Sequence, residues 1–143
     1  MRGQGLPDTR ALQANLRAAS GHDGAWPTVF VWQGTSDNTV VAKNAAAIVE
    51  QWRGVHAVSD LPPAVKTFER HSRSVWRDDR GFDTIELYTI SGMGHGTPLD
   101  TSVGYGRAAP FMLDIGVSST VQIARTGGLA ASFERRERAH LYP

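Results

Sequence analysis

Asp37 and His95 are the two residues of this chain whose type and placement could do chemistry together. Asp37 sits in the turn G-T-S-D-N-T, three residues past Gly34, and His95 sits in S-G-M-G-H-G-T-P, five residues past Ile90. Each turn follows an apolar run that reads as a strand, T-V-F-V-W-Q before the first and I-E-L-Y-T-I before the second. In sheets layered with helices, reactive side chains collect in the loops beyond the carboxyl ends of the strands. If the two strands lie close together, Asp37 and His95 emerge at one edge. A carboxylate there accepts a hydrogen bond from one imidazole nitrogen, fixes the tautomer and leaves the other nitrogen to act as a base. Such a pair activates a serine hydroxyl in hydrolytic chemistry. Taken singly, each residue has a plainer reading: G-T-S-D-N is good turn chemistry, and a histidine among glycines can simply bond backbone.

Several elements must position the pair. Asp8 to Ala19 has the spacing of a short helix, with Asp8 or Thr9 as cap and Leu12, Leu16 and Ala19 on one face. Pro27 prepares an extended lead-in to T-V-F-V-W-Q, a continuous apolar run of the kind covered on both faces. The spacing predicts a helix over Ala42 to Arg53, where Val41, Ala45, Ile48, Val49 and Trp52 form a stripe and Gly54 stands at the cap. L-P-P-A-V disfavours regular structure, so His56 to Arg70 reads as a connecting loop. Arg73 to Arg77 and Thr84 to Ser91 read as an antiparallel pair, with Ile85 and Leu87 on one face and Tyr88 and Ile90 on the other. An irregular stretch to Gly116 precedes a last helix, capped by Ser118 or Ser119 and stopping near Gly127 and Gly128. Alternating helices and apolar strands indicate α/β layering with a largely parallel sheet. Only two or three strands are visible, so the chain reads as half a domain.

Composition narrows the function classes. With 143 residues the chain can bury one core, and a net charge of +1 gives no reason to propose nucleic acid or an anionic membrane as partner. It has no cysteine, which excludes disulfides and thiol catalysis. No apolar run approaches the roughly 18 residues that span a bilayer. M-R-G-Q-G-L-P-D-T-R lacks a signal-peptide core and does not read as a natural domain start.

G-T-S-D-N-T-V-V, the helix K-N-A-A-A-I-V-E-Q-W and G-M-G-H-G-T-P-L together resemble the carboxyl half of the polyhydroxybutyrate depolymerase/esterase family, a branch of the α/β-hydrolases. W-P-T-V-F-V-W-Q-G and A-A-P-F-M-L-D-I-G-V-S-S-T extend the likeness, which runs from about Asp8 to Leu129. The resemblance implies the C-terminal part of an α/β-hydrolase fold, a mostly parallel sheet flanked by helices, with the N-terminal half absent. Residues 1–143 would form a single partial domain, and 134–143 a flexible tail. Asp37 would be the triad acid and His95 the triad base, and the reaction would be ester hydrolysis through an acyl-serine, with no cofactor. Substrates implied are a hydroxyalkanoate polymer or oligomer, or feruloyl and acetyl esters of polysaccharides, and the place of work is extracellular. Three departures stand out. Gln33 occupies the histidine position of the family's W-H-G, T-G-G-L lacks the usual aromatic, and the nucleophile pattern G-x-S-x-G is missing. No serine of this chain lies in a strand–elbow–helix context, and the oxyanion donors would also lie upstream. The chain alone is therefore expected to be inactive.

Other candidates carry less. Trp32 and Trp52 fall on core faces, which leaves Trp26, beside a proline in a loop, as a residue that could line a substrate site. His22, His56, His71 and His140 lack metal-ligand spacing, so no metal site is expected. The competing function is a non-catalytic half-domain serving as an interaction or pseudo-enzyme module, because half a sheet leaves an open edge.

Overall fold

The computed structural model describes residues 8–127 and Leu129. They divide into two compact units between His95 and Gly96. The first contains helix α1 (Thr9–Ala18), strand β1 (Val29–Gly34), helix α2 (Ala42–Val55) and strands β2 (Ala64–Thr67), β3 (His71–Arg77) and β4 (Asp83–Ile90). Its four strands form one sheet in the order β1-β4-β3-β2. β1 runs parallel to β4, whereas β3 is antiparallel to both β4 and β2. The sheet is thus mixed rather than mostly parallel. The short connection from Arg77 to Asp83 is a hairpin, and a hairpin can join only antiparallel strands.

Alternation along the strands sends Val29, Val31, Ile85 and Leu87 to the face that α2 covers. Val31, Ala45, Val49, Val58, Trp76 and Ile85 make the buried cluster there, with Val29, Trp52 and Leu87 packed against it. Val41, the residue before α2, offers no side-chain cap, an omission that costs about 1 kcal/mol. Burial outweighs it, since each buried aliphatic side chain contributes about 1.5–3 kcal/mol. The helix does not stop at Gly54 but continues to Val55. A Cβ at Gly54 would lie 1.9 Å from Cδ of Gln13, so the glycine accommodates α1. Arg17 of α1 donates to the carbonyls of Gly54 and Val55 at 2.9 and 3.1 Å, satisfying the end of α2.

On the other sheet face Trp32 stacks on Tyr88 with ring centroids 3.8 Å apart. Beside them Glu86 is fully buried and accepts from Arg73 Nε at 2.7 Å and from the Tyr88 hydroxyl at 2.8 Å. Burial, and then the hydrogen bond to this carboxylate, push the Tyr88 hydroxyl up to about 12.

β2 occupies part of the stretch expected to be loop. It starts immediately after Pro63 and forms the sheet edge, where a missing N–H ahead of the strand costs no ladder bond. The second unit contains strand β5 (Thr97–Leu99), a 3-10 turn (Thr101–Val103), strand β6 (Met112–Asp114) and helix α3 (Ser119–Thr126). β5 and β6 pair in parallel within the stretch expected to be irregular. Three-residue strands separated by a glycine-rich turn leave no periodicity to detect. Ser118 caps α3 by accepting from Val121 N–H, and Gly127 ends it. The proposed tail over 134–143 lies outside the described residues.

The stripe on α2 is narrower than its sequence spacing: Ile48 is 40% exposed, whereas Ile85 is fully buried. Ile85→Ala is expected to cost about 2–5 kcal/mol in urea denaturation. Ile48→Ala should stay within about 0.5 kcal/mol of the parent. Equal losses would place Ile48 in the core after all.

Candidate active site

β1 and β4 end together. Their parallel register runs from Val29 opposite Ile85 to Gly34 opposite Ile90, so the loops that follow leave the same sheet edge side by side. The two loops are then stitched by backbone. Thr35 N–H donates to Ile90 O at 2.9 Å and Ser36 N–H to Met93 O at 3.0 Å. In return Gly92 N–H donates to Thr35 Oγ1 at 2.8 Å. Two glycines permit this approach. A Cβ on Gly34 would stand 2.1 Å from the Met93 carbonyl oxygen, and Gly92 has φ +70°, in the left-handed region. Met93, between the loop glycines, is buried and anchors the segment.

The outcome is a direct contact. His95 Nδ1 lies 3.0 Å from Asp37 Oδ2. The Asp37 side chain is 8% exposed and the His95 ring 40%. The other oxygen, Oδ1, accepts from Thr39 N–H at 2.9 Å and from Val40 N–H at 2.7 Å. Burial pushes the Asp37 carboxyl upward. The bonds from Val40, His95 and Thr39, together with the charge of a protonated imidazole, outweigh it and hold the group below the usual carboxylate range. An ionised carboxylate only accepts, so the ring proton belongs on Nδ1 and the basic position of the neutral ring is Nε2. Chemically this is a carboxylate-oriented base.

The remaining sequence candidates lie elsewhere. Trp26 precedes the amino end of β1, whereas Asp37 follows its carboxyl end, a strand length of roughly 20 Å away. It packs edge-on against Trp52 and His22, at centroid separations of 5.9 and 4.9 Å, and does not join Asp37 and His95. His22 and His56 face the backbone oxygens of Ala25 and Pro27, and His71 stacks on Phe68. Among the described residues no group of three or more histidines and carboxylates is placed to hold a metal. Thr35 escaped sequence reasoning, because its role depends on which loop its hydroxyl meets.

Gly34→Ala should force the two loops apart, costing about 1–3 kcal/mol and altering the His95 ring resonances. Unchanged urea melting would refute the close approach. Asp37 has a lowered value in the folded state, so its stabilisation is fully present above the ordinary 3.8 and is lost as pH falls through that lower value. Asp37→Asn should therefore be less stable than the parent at pH 7, by a margin that shrinks below about pH 4. A constant margin would contradict the bonded carboxylate.

No family profile matches the chain. Poly(3-hydroxyalkanoate) depolymerase C of Paucimonas lemoignei is 35% identical over 130 residues, covering 87% of this chain and 31% of that protein. Acetylxylan esterase of Coprinopsis cinerea is 35% identical over 83 residues, 57% of this chain and 22% of that one. Feruloyl esterase B of Talaromyces stipitatus is 29% identical over 60% of this chain and 24% of that protein. Among solved structures, acetyl xylan esterase from Aspergillus awamori superposes with a TM-score of 0.56 at 20% identity, over 66% of this chain and 34% of that one, a likeness of fold. The chain thus spans less than a third of the length of the curated relatives it matches. Over that span its relatives are proteins named as a poly(3-hydroxyalkanoate) depolymerase, an acetylxylan esterase and feruloyl esterases.

Proposed function

We propose that this chain supplies the acid–base half of a serine-type carboxylic ester hydrolase, with Asp37 as the orienting acid and His95 as the general base. The observation that carries the reading is the 3.0 Å contact between His95 Nδ1 and Asp37 Oδ2 at the shared carboxyl edge of two adjacent parallel strands. We assign residues 1–143 to one partial domain, the carboxyl part of an α/β-hydrolase fold. In the reaction, Nε2 of His95 takes the proton of a serine hydroxyl as its oxygen attacks the ester carbonyl. The imidazolium then returns that proton to the departing alkoxide, leaving an acyl-serine for water to cleave with the same base. Asp37 stays ionised throughout and stabilises the imidazolium.

The nucleophile is proposed to come from a segment outside these residues, because G-x-S-x-G does not occur in them. Relatives named for polyhydroxyalkanoate, acetylxylan and feruloyl substrates share one bond type, the carboxylic ester. A hydroxyalkanoate ester is our first choice, since the depolymerase aligns over the largest share of this chain. Feruloyl or acetyl polysaccharide esters come next. The same resemblance leads us to propose an extracellular place of work.

The chain by itself is expected to hydrolyse p-nitrophenyl butyrate no faster than background. Turnover by the isolated chain that His95→Ala abolishes would refute the external nucleophile. In a longer polypeptide that includes a G-x-S-x-G segment, His95→Ala or Asp37→Asn should lower kcat by about 10³–10⁴-fold. A loss under about tenfold would overturn the acid–base roles.

A further inference from the structure

We propose that Gln33 is a positioning residue for the Asp37–His95 pair, its side-chain amide clamping both ends of the turn that carries Asp37. For its catalytic consequence the inference rests on the acid–base reading above. Gln33 Nε2 donates to Gly34 O at 2.9 Å and to Val40 O at 3.0 Å, which uses both protons of the amide. These carbonyls open and close the segment from Gly34 to Val40. Each also belongs to a residue in contact with Asp37. Gly34 O accepts from Asp37 N–H at 3.3 Å, and Val40 N–H donates to Asp37 Oδ1 at 2.7 Å. Asp37 Oδ2 in turn faces His95 Nδ1, so the contacts run Gln33, Val40, Asp37, His95 without interruption.

Gln33 is only 6% exposed, so water does not readily replace a lost donor. Removing the amide would orphan two carbonyls and release the far end of the turn. The first effect of that release is on the Val40 N–H bond to the carboxylate, which is the largest influence lowering the Asp37 carboxyl. A histidine places Nε2 as many bonds from Cα as glutamine places its amide nitrogen. It can therefore restore one of the two donations.

The test uses the full 143-residue chain and needs no ester turnover. The Asp37 Cγ resonance is followed by carbon-13 NMR as pH falls. Gln33→Leu should move the Asp37 midpoint upward, and Gln33→His should leave it close to the parent. A Gln33→Leu midpoint equal to the parent's would overturn the positioning role, because a merely structural glutamine changes melting without moving this titration. If Gln33→Leu does not fold, exchange of the Gln33 side-chain amide protons in the unmodified chain decides. Slow exchange is expected; exchange at the rate of a solvent-exposed amide would sink the clamp. A failed ester assay bears on the function proposed above, whereas these readouts bear on Gln33.

Discussion

The parallel alignment of β1 with β4 is the constraint on which the candidate site depends. Parallel strands in register end at the same level, so the two loops leave the sheet one strand spacing apart. The ladder then continues beyond the strands, from Thr35 to Ile90, and holds the loops together before any side chain contributes. A residue with a Cβ at Gly34 would wedge this junction open against the Met93 carbonyl. Asp37 and His95 thus meet because of backbone geometry, and their own bond is made within a gap that is already closed.

Two low-exposure carboxylates in this unit are stabilised in opposite ways. Glu86 is fully buried and faces Arg73, a guanidinium that stays charged at every ordinary pH and whose own value is raised by the pairing. Asp37 is held by two backbone N–H groups and a half-exposed imidazole. Arginine cannot give up its proton at any ordinary pH. Imidazole can, because it is the side chain whose ordinary range spans neutrality. The difference in partner separates an ion pair fixed by arginine from the pair to which we assign acid–base work.

Legibility varied with the strength of the periodic signal. α1 and its Asp8 cap, the apolar run of β1, and the antiparallel pairing of β3 with β4 could be read from residue types and spacing. β2 could not, because its four exposed residues follow two prolines and carry no buried face. β5 and β6 could not either, since their pairing joins segments more than ten residues apart. Gly54 looks like a cap in the sequence for a related reason: a glycine near a helix end can serve the helix's own backbone or a neighbouring element, and only the position of Gln13 distinguishes the two.

By itself the sequence determined which residues could form a proton-transferring pair, the turns that hold them and the strands those turns follow. Local chemistry suffices for this, because glycine, proline and apolar runs act over a few residues. Only the tertiary structure decided that β1 lies next to β4, that Thr35 and Gln33 brace the loops, and that Trp26 packs at the opposite end of the strand. These are contacts between distant parts of the chain, or choices among several local partners. Residue identity leaves them open until the packing of the whole sheet selects one.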